Sequence, residues 1–252
     1  MAKRPFNIWG THAVTALLQH NPHQALEVWL SSERRSEGLE AIRTQCEAAG
    51  ITVTSIAAKA LDKLSNQANH QGVVAKRRSP VTADIASLQI EVQQERLPPS
   101  YMALDQVKDP QNLGACLRLA DAAGVAGLII PEASQAPLSG VVAKVASGAM
   151  DTIPIVQINN FGNGLRDLAK QGVWIVGTDD SAAQSYAETD MTVPLCLVFG
   201  SEQDGLRQRT REICDYLVTI PIVGAVGSLN VSNAAAVCLF EARRQRQQKM
   251  PG

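Results

Sequence analysis

No apolar run in the 252-residue chain approaches the ~20 residues needed to span a bilayer; LCLVFG at Leu195–Gly200 is typical of the longest. The start, MAKRPFNIWG, carries two basic residues but no apolar core of signal-peptide length. Both absences predict a cytosolic protein with no membrane partner. The five cysteines (Cys46, Cys116, Cys196, Cys214, Cys238) are odd in number and never in CxxC spacing. They read as buried free thiols of a reducing compartment, and no Cys/His cluster suggests zinc, so no metal is expected. The nucleotide fingerprints are missing as well. There is no GxxxxGK[ST], no GxGxxG after a strand and no GxSxG elbow, which argues against P-loop, dinucleotide-binding and α/β-hydrolase chemistry. Net charge is nearly absent at −1, so the chain as a whole is no generic polyanion binder.

What is present is an ordinary globular composition, 45% hydrophobic and 19% charged, with an uneven charge distribution. Residues 1–79 carry a balance of +4, residues 80–99 one of −2, and residues 100–252 one of −3. All four histidines fall in the first block. This divides the chain into a first unit (1–79) better suited to a polyanion, a linker (80–99) and a second unit (100–252). The linker is polar, opened by Pro80 and closed by Pro98-Pro99, with a short helix expected over Ile85–Val92.

The first unit reads as a small α/β domain. Helices are expected at Gly10–Gln19, Glu37–Ala49 and Lys59–Leu64, and strands at Glu27–Ser31, Ile51–Ser55 and Gly72–Arg78. The second unit alternates more regularly. Strands are expected at Tyr101–Leu104, Gly127–Ile130, Ile153–Val156, Val173–Gly177, Cys196–Phe199 and Leu217–Ile220, mostly with helices between. Such alternation implies a parallel sheet in a layered α/β fold, with ligands beyond the carboxyl ends of the strands.

Three loops after strands carry chemistry. In DQVKDPQNLGACLRLADAAG, Asp109-Pro110 suits the start of a helix that Gly124 ends. Asn112 and Gly114 lie in its first turn, where free N–H groups attract anions. Arg118 points roughly 120° away from Asn112 on the helix, yet its length lets it swing toward the same cleft. The plain reading is a well-capped helix with a surface arginine. In LVFGSEQDGL, a buried strand runs into Gly200, and Glu202 either orients a reactant or caps the next helix. In IPIVGAVGSLNVSNAAAVCLFE, Ser228 or Asn230 caps a long helix beside Gly224 and Gly227, small polar groups that also suit a bound cofactor.

Together, in this order and spacing, the loops resemble the SpoU-type family of the SPOUT superfamily, RNA 2′-O-ribose methyltransferases. Its NxGxxxR motif matches Asn112, Gly114 and Arg118; its GxExxG[LM] motif matches Gly200, Glu202, Gly205 and Leu206. Its IP[MI] and SLNVS elements match Ile220-Pro221-Ile222 and Ser228–Ser232, with Ile222 where Met is commoner. The motifs span roughly residues 101–243. In the first unit, Gly10–Val14 (GTHAV) and His70–Ala75 (HQGVVA) resemble the two ends of the substrate-binding domain found in the two-domain branch.

The resemblance implies a knotted parallel-sheet catalytic domain (a deep trefoil knot) preceded by a smaller ribosomal-protein-like RNA-binding domain. It implies S-adenosyl-L-methionine as cofactor, held by main-chain groups near Thr178, Gly200, Ile220 and Leu229. It implies a homodimer acting on large-subunit rRNA, at a guanosine 2′-hydroxyl of the peptidyl-transferase centre. Asn112, Arg118, Glu202, Ser228 and Asn230 become the candidate catalytic residues. Arg34, Arg35, Lys76, Arg77 and Arg78 are candidate phosphate contacts, the alternative being a solvated surface. His12 and His70 either touch RNA or cap and pack. Two other functions remain open at this level: a non-catalytic RNA-binding assembly factor retaining the fold, and a small-molecule enzyme on an α/β scaffold.

Overall fold

The computed structural model describes residues 4–80, 85, 86, 88 and 98–249. Two compact units result, one of residues 4–80 with Pro137–Thr152, the other of the remaining described residues.

In the first unit, β1 (Phe6–Trp9) leads through Gly10 into α1 (Thr11–His20). β2 (Ala25–Ser31), α2 (Glu37–Ala48), β3 (Val53–Ile56), α3 (Ala58–Leu64) and β4 (Val73–Arg77) come next along the chain. The sheet order is β1-β4-β2-β3. β4 lies antiparallel to β1 and β2, and β2 parallel to β3. Ser36 caps α2 by accepting from the Leu39 amide at 3.3 Å. The two sequence segments singled out at the domain's ends meet: Gly10 N–H donates to the Val73 carbonyl at 3.3 Å, and Thr11 N–H to Gln71 Oε1 at 3.2 Å. β1 is not among the strands expected from sequence; its partner β4 lies far along the chain, so local pattern does not reveal it.

This unit also takes in α5 (Gly140–Ala146) and α6 (Ala149–Thr152), which come from the middle of the second sequence block. Gly140 makes the fit. A side chain there would collide with the Trp9 ring and the Asn7 carbonyl, so only glycine lets the backbone come this close. Trp9 packs with Leu61 and Val74, against which Val141 rests. Arg77, on the face of β4 opposite Val74, is fully buried, with Nη1 2.7 Å from Asp151 Oδ2 and Nη2 donating to Gln24 Oε1 at 2.5 Å. The division by chain position at 80–99 therefore differs from the division by contact.

The second unit is a seven-stranded sheet in the order β7-β6-β5-β10-β8-β11-β9, every pair parallel. Its strands are β5 (Ser100–Leu104), β6 (Gly127–Pro131), β7 (Ile155–Ile158), β8 (Trp174–Thr178), β9 (Gln184–Ser185), β10 (Leu195–Phe199) and β11 (Tyr216–Thr219). Its helices are α4 (Pro110–Ala123), α7 (Phe161–Ala169), α8 (Gln208–Arg211) and α9 (Val231–Lys249). β5, β6 and β10 are buried at every residue, as a parallel sheet covered on both faces requires. One face, from Tyr101, Ala103, Cys196 and Val198, packs with Phe161, Leu165 and Leu168 of α7. Only Ile85, Ala86 and Leu88 of the helix expected over Ile85–Val92 are described; they are helical, and Leu88 joins this cluster. The rest of that segment lies outside the described residues.

The sheet order sets the site. From β5 the chain moves outward through β6 and β7, then returns to the other side of β10. The carboxyl ends of β5 and β10 therefore form the switch point at which α/β folds bind ligands.

Candidate active site

β5 ends at Leu104 and the chain turns at Asp105, whose N–H donates to the Phe199 carbonyl at 2.7 Å. Asp109 then caps α4, accepting from the Gln111 amide at 3.1 Å, with Pro110 in the first turn and Gly124 in the left-handed conformation at the far end (φ 72°). That cap fixes Asn112 over the switch point. β10 runs into a tight turn in which Ser201 and Gly205 exchange backbone hydrogen bonds at 3.2 and 3.0 Å. Gly205 has φ 62°, and a side chain at Gly200 would strike the backbone of Gly205 and Leu206. The two glycines let the turn close on itself and project Glu202 outward. β11 leads through the exposed 221–228 loop to Asn230, which caps α9 by accepting from Ser232 N–H at 2.9 Å and Ser232 Oγ at 2.7 Å.

The three loops converge in one hydrogen-bond chain. Asn230 Nδ2 donates to Asn112 Oδ1 at 2.9 Å, and Asn112 Nδ2 donates to Glu202 Oε1. Every donor in the chain points toward the carboxylate, so each bond polarises the next. Ser228 is exposed and lies outside this chain. Arg118 is exposed on α4, with no hydrogen-bond or ion-pair partner among the described residues.

Beside the chain lies a cavity of about 420 Å³, within the ~300–1,000 Å³ typical of small-molecule sites. Thr178, Gly200, Ile220 and Leu229 all line it, as do Glu202 and Ser228. The Thr178 hydroxyl donates to the Val198 carbonyl at 3.3 Å. Phe199, Leu206, Val218 and Val231 supply apolar wall. Asp179, Asp180 and Asp204 add carboxylates.

Two acidic residues at strand ends were not singled out from sequence. Asp179, directly after β8, is buried and paired with Arg211 at 2.6 Å, whose Nη2 also donates to Ser181 Oγ at 3.1 Å. Asp105, directly after β5, is buried, 2.6 Å from Arg207 Nη2, and accepts from Thr210 Oγ1 at 2.6 Å. Their position after a strand of a parallel sheet is the signal that could have found them. Burial and then the nearby Glu202 carboxylate push the Cys116 thiol up to about 12. Cys46 rises to about 11, Cys214 and Cys238 to about 12, all chiefly by burial, so none is a thiolate nucleophile at neutral pH. No cluster of three or more His, Cys, Asp or Glu placed to hold a metal occurs among the described residues, and no helix among them is long and apolar enough to cross a membrane.

In the first unit, Arg34, Arg35, Lys76 and Arg78 are exposed, Arg78 donating to the His23 carbonyl at 2.8 Å. Arg77 corrects the sequence reading. Strand alternation turns it inward, where Asp151 and Gln24 occupy its guanidinium and no phosphate can reach it. His70 is held within its own turn, Nδ1 accepting from Gly72 N–H at 3.0 Å and Nε2 3.2 Å from Asp62. That favours the capping reading for it.

Comparison with known proteins agrees with this geometry. Residues 99–240 match the SpoU rRNA methylase family, and residues 7–80 match the substrate-binding domain of RNA 2′-O ribose methyltransferases. The chain is 42% identical over 239 residues to a 23S rRNA (guanosine-2′-O-)-methyltransferase, RlmB, of Vibrio vulnificus, covering 95% of this chain and 96% of the relative. It is 44% identical over 240 residues to the RlmB of Shewanella oneidensis, covering 95% and 97%. Among solved structures it resembles the SpoU methyltransferase AviRb of Streptomyces viridochromogenes in complex with AdoMet, with TM-score 0.82, 25% identity and coverage of 97% and 91%. It also resembles an AdoMet-bound rRNA methyltransferase of Sinorhizobium meliloti, with TM-score 0.80, 28% identity and coverage of 98% and 89%. With its motif residues gathered at the switch point of a parallel sheet and its family match spanning residues 99–240, the chain belongs to the SpoU rRNA methylase family.

Proposed function

We propose that the protein is an S-adenosylmethionine-dependent 23S rRNA guanosine-2′-O-methyltransferase whose target lies in the peptidyl-transferase centre. The observation that carries the reading is the chain Asn230–Asn112–Glu202, one residue from each motif, at the edge of the cavity lined by Thr178, Gly200, Ile220 and Leu229. Near-full-length identity to the RlmB relatives supports the substrate.

The cavity fits the cofactor. Apolar side chains from β10, β11 and α9 suit an adenine, and the carboxylates of Asp180 and Asp204 suit hydroxyls and positive charge. Main-chain groups at Thr178, Gly200, Ile220 and Leu229 would hold it. When bound, S-adenosylmethionine supplies an electrophilic methyl group whose departure leaves a neutral thioether, so the protein need not stabilise a leaving charge.

The protein's task is the ribose hydroxyl. Fixing it against the donor removes ~7–11 kcal/mol of barrier by positioning alone. Glu202 uses one carboxylate oxygen on Asn112 and offers the other to the 2′-hydroxyl or to Arg118. A guanidinium offers donors and no acceptor, so the role of Arg118 is to grip the phosphate beside the target ribose and stabilise alkoxide character, not to act as a base. Both ends of the Asn112 amide are engaged, making it a positioning residue for Glu202. Ser228 orients the methionine moiety and Asn230 the Asn112 amide. Arg34, Arg35, Lys76 and Arg78 contribute phosphate contacts from the first unit. A trefoil knot in the second unit and a homodimer complete the proposal.

The test is incubation with methyl-labelled S-adenosylmethionine and large-subunit rRNA lacking its modifications, with the label mapped by 2′-O-methyl-sensitive cleavage. One labelled guanosine ribose is expected. Arg118→Ala and Asn112→Ala should each lose label at least 100-fold while cofactor affinity changes less than about threefold. RNA binding without label, on naked RNA and on immature particles alike, would favour the assembly-factor reading.

A further inference from the structure

A second recess of about 850 Å³ opens at the carboxyl edge of the same parallel sheet, beyond β6 and β7. Its walls come from Pro131 and Ser134 after β6, the Asn159–Asn163 turn after β7, and Arg207–Thr210 with Glu212 and Ile213. It is separate from the cofactor cavity, yet one loop builds both. Leu206 lines the cavity, and the next residue, Arg207, lines the recess.

Three arginines surround it, and two are not neutralised. Arg207 is committed to Asp105 at 2.6 Å and lies 5.7 Å over the Phe161 ring, so it is a fixed wall. Arg166 bonds only the Asn163 side-chain oxygen, at 3.1 Å. Arg209 is exposed, and neither it nor Arg166 has an acidic partner among the described residues. The single acidic lining residue, Glu212, is occupied by Gln208 at 2.9 Å. The recess thus presents two guanidinium groups without a carboxylate partner among the described residues, with the side-chain amides of Asn159 and Asn160 nearby. That is phosphodiester chemistry, with amides able to read a base edge.

We propose that this recess is an RNA subsite that holds the single strand flanking the target nucleotide, with Arg166 and Arg209 on its phosphates. The inference rests on the methyltransferase reading above. Strands lie ~4.8 Å apart, so the recess at β6–β7 is about 14 Å from the cavity at β10–β8, a span of a few nucleotides. A strand whose ribose sits at Glu202 and that tracks the sheet's carboxyl edge across β5 enters it. The subsite would set which neighbouring sequence the enzyme accepts, a task that the residues at the reacting hydroxyl cannot perform.

The test uses the full-length protein with an unmodified large-subunit rRNA fragment. Arg166→Gln/Arg209→Gln is compared with wild type by RNA affinity from 50 to 300 mM salt. Loss of two single-strand phosphate contacts lowers the salt slope by about 1.4, at ~0.7 per phosphate. RNA affinity should fall at least tenfold at low salt, and S-adenosylmethionine affinity should hold, showing that the fold survives. Arg244→Gln, at an exposed arginine already paired with Glu241, is the control and should leave the slope unchanged. An unchanged slope and affinity in the double variant overturns the subsite, whether or not wild type methylates. If wild type transfers no methyl but the double variant loses slope and affinity, the subsite stands and the methyltransferase reading falls.

Discussion

Asp151→Asn isolates the buried ion pair that joins the 137–152 excursion to the amino-terminal sheet. The side chains of Arg77 and Asp151 are 0% and 2% exposed, so neither charge has water to fall back on. Removing one member of such a pair costs about 3–5 kcal/mol, because the other is stranded. Gln24 and the Arg78 carbonyl still serve Arg77, and the new amide accepts one bond, so the lower figure, about 3 kcal/mol, is expected. At a urea m-value of ~1–3 kcal/mol/M that moves the midpoint down by about 1–3 M. Trp9 and Trp29 lie in this unit and Trp174 in the other, so fluorescence in a Trp174→Phe background reports on the unit by itself. Trp9 packs directly against Gly140 and senses release of the excursion. Replacing both charges, Arg77→Met with Asp151→Leu, should recover most of the loss, since it removes the stranded charge. A midpoint shift below about 0.3 M for Asp151→Asn, at unchanged m, refutes the argument. A double variant as unstable as the single one would assign the loss to packing.

Gly200→Ala should weaken S-adenosylmethionine binding at least tenfold by calorimetry, because the new methyl group meets backbone, which cannot move aside as a side chain would. Unaltered affinity would show that the turn is not the cofactor's wall. Native protein at pH 8 should be nearly inert to iodoacetamide. Thiols at about 11–12 in place of 9.0 hold roughly 100–1,000-fold less thiolate at Cys46, Cys116, Cys214 and Cys238. Mass spectrometry should then count five labels only after denaturation, and rapid native labelling of any buried cysteine would refute the burial assigned to it.

The parallel sheet was legible because its strands are short apolar runs closed by turn residues, and each expected strand of the second unit lies within two residues of an observed one. What escaped was set by distant contacts. Phe6–Trp9 is a strand because β4 pairs with it, and nothing in FNIW demands that by itself. The helices of 137–152 are readable as local structure, but only Trp9 and Asp151's partner reveal which unit buries them. Arg77 sits in a basic triplet that suggests surface. Strand alternation, applied to Val73–Arg77, would have turned it opposite Lys76, as found.

The candidate site residues were legible for a different reason. Asn112 and Asn230 stand at helix starts and Glu202 in the turn after a strand, so local signals fix their positions and the sheet order brings them together; Arg118, in mid-helix, stood out only through the family motif. The roles then emerge from what each group has left to give. Asn112 gives one amide hydrogen to Glu202 and accepts from Asn230, and Asn230 accepts twice from Ser232. Each amide keeps one hydrogen, but neither carries a charge to offer a substrate. Glu202 and Arg118 are the charged candidates, one anionic and aimed by the chain, the other cationic and unpaired among the described residues. A ribose with its adjoining phosphate needs both: a carboxylate to accept from the hydroxyl and a guanidinium to hold the phosphate. In the proposed reaction the asparagines therefore aim the carboxylate, and transfer depends on the charged pair of Glu202 and Arg118.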